Sequence, residues 1–249
     1  GYRRLNPELE KGYTLLTGTN QGLYAQVKPH PAHLILQASL SEGIRQEPFV
    51  LPMERQALLA EAQKGGFFSY AAGVAYQFLT YYRIGGLEID NYRTDLPIQK
   101  GLASSAAICV LVARAFNQVY DLKMTVRGEM EFAYLGEITT PSRCGRMDQA
   151  CAYGTRPILM IFDGDRTEVI ELKVAKDLFF VIVDLGAGKN TQEILTKLNQ
   201  CYPFATNEVH EDVQTYLGSI SAQMTQMAVD ALQQGDAQRI GDLMKRAQA

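Results

Sequence analysis

The segment Pro97-Ile98-Gln99-Lys100-Gly101-Leu102-Ala103-Ser104-Ser105-Ala106-Ala107 sets small residues and two hydroxyls where an extended stretch turns into a helix. Ahead of it, Gly85-Gly86-Leu87-Glu88-Ile89-Asp90-Asn91-Tyr92 alternates apolar and polar side chains as a half-buried strand does, and Pro97 closes that strand by removing a ladder donor. After it, Ala106 to Tyr120 reads as a helix. The first turn of such a helix carries amides without intrahelical partners and the positive end of the helix dipole, so an anion seated over Gly101 to Ala106 is held by the main chain. Side chains larger than Ala or Ser here would keep phosphate oxygens from those amides. The stretch lacks the Gly-Lys-Ser/Thr ending of a Walker A loop, and no Gly-x-Gly-x-x-Gly dinucleotide fingerprint is present. Taken alone, it reads equally as a small-residue helix start that lets two elements pack closely, with Ser104 or Ser105 as the N-cap.

The same residues resemble the phosphate-binding motif of the GHMP kinases, the family of galactokinase, homoserine kinase, mevalonate kinase and phosphomevalonate kinase, whose pattern is Pro-x-x-x-Gly-Leu-Gly-Ser-Ser-Ala. Ala103 stands at the middle glycine, and its added methyl fits the loop only at a negative φ. A second segment resembles the family's next motif. It runs from Gly136-Glu137 to Cys144-Gly145-Arg146-Met147-Asp148-Gln149, with Gly154 following. The glutamate precedes an Asp-Gln by the family's interval, and the order and separation of the two motifs also fit. The Cys-Gly-x-Met-Asp-Gln wording is most similar to the galactokinase and arabinokinase branch, since the mevalonate branch usually carries Asp-Asn.

This resemblance implies an α+β, two-domain GHMP kinase fold, with an N-terminal layer like domain 2 of ribosomal protein S5 and a C-terminal ferredoxin-like α/β layer. The expected domains are 1–174, which binds ATP, and 175–249, a partial C-terminal domain. The family's N-terminal substrate-contacting motif and its C-terminal Gly-Ala-Gly-Gly-Gly loop do not occur, so the resemblance implies a fold incomplete at both ends. The implied activity is transfer of the γ-phosphate of ATP to a hydroxyl of a small molecule, foremost a monosaccharide. Lys100, Gly101, Leu102, Ala103, Ser104, Ser105 and Ala106 would hold the nucleotide phosphates. Ser105 and Glu137 would face Mg²⁺, a hard cation that takes oxygen ligands from one or two protein groups plus phosphates. Asp148 would be the catalytic carboxylate facing the acceptor hydroxyl, accepting its proton or orienting it, with Gly145 beside the substrate. Two other readings stay open: a kinase of mevalonate, phosphomevalonate or homoserine, and a sugar or nucleotide sensor that uses the fold without turnover. Residue by residue, Glu137 also reads as a solvated helix carboxylate and Asp148 as a helix cap. Lys100, Arg143 and Arg146 lie near the expected phosphate path and read equally as solvent-facing.

Composition restricts the partners. The 249 residues are 47% hydrophobic and 20% charged, enough for a large core, and the net charge of −3 gives no basic footprint for nucleic acid. The longest apolar stretches, Tyr70 to Tyr82 and Ala106 to Phe116, are too short to span a bilayer, and Arg114 interrupts the second. Cys109, Cys144, Cys151 and Cys201 form no Cys-x-x-Cys pair, which suits a reducing cytoplasm. Cys144 invites a nucleophilic-thiol reading, but neither motif contains a histidine.

Along the chain, Leu23 to Lys28 and His33 to Ser39 read as neighbouring strands joined at Pro29-His30-Pro31. Met53 to Gln63 and Phe68 to Arg83 read as helices, the second interrupted by Gly73. Thr125 to Glu137 reads as a helix capped by Thr125. Pro157 to Phe162 and Thr167 to Leu172 read as a hairpin about Asp163-Gly164-Asp165. Leu178 to Asp184 reads as the most apolar strand, leading through a Gly186 to Thr191 loop into four helices: Thr191 to Gln200, Asn207 to Leu217, Ser221 to Gln234 and Asp236 to Ala247.

Overall fold

The computed structural model describes residues 2–38, 47–96, 102–142, 144–183 and 191–248. In chain order the elements are α1 (Tyr2–Leu5), β1 (Gly12–Leu16), β2 (Leu23–His30), β3 (His33–Ala38), β4 (Phe49–Pro52), α2 (Arg55–Lys64), α3 (Phe67–Tyr81), β5 (Gly86–Thr94), α4 (Ser104–Val119) and α5 (Val126–Ile138). A 3₁₀-helix (Asp148–Tyr153), β6 (Ile158–Asp163), β7 (Arg166–Glu171), α6 (Thr191–Asn199), α7 (Glu208–Thr215), a π-turn (Tyr216–Ile220), α8 (Ser221–Gln234) and α9 (Ala237–Gln248) follow. They form two compact units, Thr19–Gly154 and Gly1–Gly18 with Thr155–Ala249. Residue 174, the family-domain boundary expected from the sequence, falls inside the second of these.

In the unit of residues 19–154 the sheet order is β2-β5-β3-β4. β2 and β3 are therefore not neighbours, as their short connection suggests; β5 lies between them, antiparallel to β2 and parallel to β3. Two glycines make the insertion possible. A Cβ on Gly86 would lie 1.9 Å from the carbonyl oxygen of His33, and one on Gly85 would lie 2.9 Å from that of His30. Only bare backbone lets the link between β2 and β3 pass across the start of β5. Leu34 and Leu36 of β3 and Leu87 and Ile89 of β5 point to one buried face, at the period of two that strands impose.

Against this sheet stands a helical layer in which Phe78 of α3 and Phe116 of α4 stack with centroids 4.8 Å apart, both fully buried. Truncating either ring would cost about 3–5 kcal/mol. The expected interruption of α3 at Gly73 does not occur; the helix runs unbroken from Phe67 to Tyr81. Gly73 serves packing instead: a Cβ there would lie 2.3 Å from the carbonyl oxygen of Gly136 on α5. Reciprocally, a Cβ on Gly136 would lie 2.6 Å from Cα of Val74. The two backbones touch at this crossing, and the next residue along α5 is Glu137. At the other end of α5, Thr125 is the N-cap as expected, its hydroxyl accepting from the Gly128 amide at 3.2 Å.

In the other unit, β1-β6-β7 form an antiparallel sheet, and Gly164 at φ 62° closes the β6–β7 hairpin at the Asp163-Gly164-Asp165 turn. β1 and β4 carry too few residues to register as alternating runs and are not legible in the sequence. Arg3 and Lys11 both bind the Asp163 carboxylate, at 2.6 and 3.1 Å. The four C-terminal helices form near their expected bounds, and Gly235 ends α8 in the left-handed region at φ 69°. The expected strand at Leu178 to Asp184 is corrected: residues 178–183 are irregular, and Asp184 and the Gly186 to Asn190 loop lie outside the described residues. A strand exists by its ladder, and among the described residues no strand pairs with this run. Among the described residues no helix is long and apolar enough to cross a membrane.

Candidate active site

The site lies within the unit of residues 19–154, where the first turn of α4, the last turn of α5 and the 3₁₀-helix meet. Ala103 is the N-cap residue of α4, so neither Ser104 nor Ser105 caps it. Its backbone is left-handed, at φ 55° and ψ 39°, which corrects the expectation of a negative φ. A methyl in that region costs roughly 1–2 kcal/mol relative to a right-handed position. The first intrahelical bond runs from the Ala107 amide to the Ala103 carbonyl at 3.0 Å, so the amides of Ser104, Ser105 and Ala106 precede it. Leu102 to Ser105 are half-buried and Ala106 is buried. Lys100, Gly101 and Arg143 lie outside the described residues.

Ser105 turns its hydroxyl to the Glu137 carboxylate and donates to it. Glu137 is only 1% exposed, which excludes the solvated-carboxylate reading. Gln149 Nε2 donates to Glu137 Oε2 at 2.7 Å, and the Cys144 thiol also bonds to the carboxylate. Burial pushes the Glu137 pKa up; the hydrogen bonds from Ser105 and Gln149 pull it back, and the charge of Asp148 nearby raises it again. Asp148 opens the 3₁₀-helix, whose N-cap is Met147 rather than Asp148. Ser105, Glu137 and Asp148 are thus brought together from three different elements.

Burial pushes the Cys144 and Cys151 thiols up to about 12, with Glu137 raising the first further and Asp148 the second; Cys109, fully buried, is also raised. All three are neutral thiols at ordinary pH, which removes the nucleophilic-thiol reading. Arg146 pairs with Glu131 at 3.0 Å and lies 4.7 Å over the Tyr134 ring, so its guanidinium is committed to the surface of α5. Gly145 is exposed, and a Cβ there would meet nothing within 4 Å. Its lack of a side chain is not demanded by packing.

Two residues at the site escape sequence reasoning. Tyr70, on α3, is half-buried, and its phenol is raised by burial and then by the Glu137 charge. Gln149 reads in the sequence only as the partner of Asp148 in a motif, yet it is the direct ligand of the buried carboxylate. No local pattern marks either, because their roles depend on a helix crossing.

The donor set suits Mg²⁺. Glu137 and the Ser105 hydroxyl offer hard oxygen ligands, and Gln149 Oε1 is a buried acceptor without a protein partner beside them. Among the described residues no group of three or more His, Cys, Asp or Glu gathers as a self-sufficient metal cage.

Residues 69–155 match the family model for the GHMP kinases N terminal domain, a range that contains the whole site. The chain is 23% identical over 215 residues to a galactokinase of Pyrococcus furiosus, covering 74% of this chain and 58% of that protein. It is 26% identical over 192 residues to a galactokinase of Thermococcus kodakarensis, covering 67% of this chain and 53% of that one. The chain thus spans little more than half the length of these curated relatives. The crystal structure of Lactococcus lactis galactokinase complexed with galactose superposes with a TM-score of 0.64 at 14% identity, over 95% of this chain and 68% of that one, which shows the fold. With its two motifs in order and its site assembled, the segment 69–155 carries a GHMP kinases N terminal domain, in a chain similar to these two galactokinases.

Proposed function

We propose that the protein is an ATP- and Mg²⁺-dependent kinase that phosphorylates a hydroxyl of a monosaccharide, with galactose the first acceptor to test. The observation that carries this reading is the convergence of Ser105 and Gln149 on buried Glu137 at the start of α4, with Asp148 beside them. In this reading the loop through Leu102 to Ala106, continued by Lys100 and Gly101, cradles the phosphates with main-chain amides. Ser105 Oγ and the Glu137 carboxylate would hold Mg²⁺, which when bound supplies neutralisation of charge on the phosphate oxygens. Asp148 orients the acceptor hydroxyl and takes its proton late, as suits a weak base near other charges. Gly145, with open space where a side chain would stand, leaves room for the acceptor. Residues 1–174 would form the nucleotide-binding domain and 175–249 part of the second, in a cytoplasmic protein. The two galactokinase relatives and the Asp-Gln of the second motif favour a sugar over mevalonate or homoserine.

The test is ADP release with ATP, Mg²⁺ and a panel of monosaccharides. We expect release with at least one sugar, and Asp148→Ala to lower turnover by roughly 10²-fold or more while nucleotide affinity stays within about twofold. Binding of a sugar or nucleotide with no ADP release would replace this reading with that of a non-catalytic sensor.

A further inference from the structure

The 3₁₀-helix Asp148–Tyr153 is six residues long, too short to hold its own shape, since so short a helix carries a nucleation cost that few internal bonds offset. It is fastened at both ends. At its start, Gln149 Nε2 reaches Glu137 at 2.7 Å. At its far end, Arg114 Nη2 donates to the carbonyl oxygen of Ala152 at 2.8 Å.

The same guanidinium is held from behind. Arg114 Nε donates to Glu129 Oε2 at 2.9 Å, and Glu129, only 6% exposed, uses Oε1 to accept from Asn117 Nδ2 at 2.8 Å. Asn117 in turn locks the turn between α4 and α5, accepting from the Met124 amide at 2.9 Å and donating to the Met124 carbonyl at 3.1 Å. One planar fork therefore joins α4, α5 and the short helix, a geometry that lysine cannot reproduce because its ammonium is a point donor on a flexible stem.

We infer that Arg114, oriented by Glu129, is a positioning residue: it fixes the short helix so that Asp148 and Gln149 keep their places beside Glu137. The inference rests on the reading of Asp148 as the group that meets the acceptor. Stability alone does not call for this arrangement, since the Arg114 side chain is 39% exposed and an ion pair open to solvent on one side contributes little. What an apolar pair cannot supply is a directed bond to the Ala152 carbonyl.

The experiment compares Arg114→Met/Glu129→Met and Arg114→Lys with the unaltered chain, reading the denaturant midpoint, amide hydrogen exchange at residues 148–153, and kcat and KM with the sugar that the unaltered chain phosphorylates. For the double variant we expect a midpoint near that of the unaltered chain, exchange in 148–153 faster by on the order of tenfold, and a fall in kcat with the KM for ATP unchanged. Arg114→Lys, which keeps the charge opposite Glu129 but not the fork, should show the same local acceleration. Exchange at 148–153 unchanged in either folded variant would overturn the inference, as would accelerated exchange with an unaltered kcat. If the unaltered chain phosphorylates no sugar, the kinase reading fails on that result, while the exchange data still decide whether Arg114 holds the helix.

Discussion

Ala103 and Glu137 each spend stability where the site needs shape or charge. Ala103 sits at φ 55°, in the region that a glycine enters without strain, so Ala103→Gly should raise the unfolding free energy. The gain should be about 0.5–1 kcal/mol, because relief of a left-handed alanine outweighs the extra entropy of glycine in the unfolded chain. A lower urea midpoint for this variant would show that the backbone there is not left-handed. Glu137 is a buried carboxylate with its pKa raised by burial. A raised folded-state pKa means the folded protein binds more protons than the unfolded chain in the window between the two values. Stability is therefore lost as pH rises from the ordinary carboxylate value, about 4.3, through the raised one. Glu137→Gln removes the buried charge and gives Gln149 Oε1 an amide to accept from. The variant should be more stable than the unaltered chain by about 1 kcal/mol at pH 8 without metal, with the difference shrinking toward pH 4. Its Mg²⁺ requirement should rise at the same time. Equal midpoints at every pH would mean that Glu137 is not held as a buried anion.

At the scale of elements, the crossing of α3 and α5 sets where Glu137 points. Gly73 and Gly136 leave no room for a methyl, with nearest approaches of 2.3 and 2.4 Å to atoms of the facing helix. Gly136→Ala gains helix propensity but forces the helices apart, and overpacking of this kind costs typically 1–3 kcal/mol. We expect the unfolding free energy to drop by about that amount, and turnover to fall further than stability explains, because residue 137 moves with the backbone. An alanine variant with unchanged midpoint and activity would show that the helices tolerate a wider crossing. The sequence presents Gly73 as a break in a helix. Its actual role emerges only when a second helix arrives, so the local pattern points the wrong way.

For the whole molecule, the run Leu178 to Val183 is the main departure from the sequence expectation. Leu178 packs on a small core with Ala231, Leu232 and Ile240, yet Phe179 and Val181 are 92% and 90% exposed. An apolar stretch of strand-forming residues that pairs with no strand among the described residues is a self-association hazard. Phe179→Lys/Val181→Lys should reduce concentration-dependent light scattering of this chain and leave the unfolding free energy within about 0.5 kcal/mol. A drop well beyond that would mean the two side chains are buried in solution. Alternation, caps and turn chemistry reach only a few residues along the chain, and where they govern, the sequence alone determined the outcome. It specified β5, α4, the Thr125-capped α5, the Asp163-Gly164-Asp165 hairpin and the C-terminal helices. The order of its two motifs also carried Ser105, Glu137 and Asp148 into one candidate site. Tertiary structure decided the placement of β5 between β2 and β3, the left-handed backbone of Ala103, the burial of Glu137 against Gln149 and the fork of Arg114. These depend on which segments distant in sequence approach within a few ångströms, and that is fixed by close packing across the layers rather than by any preference of the residues themselves.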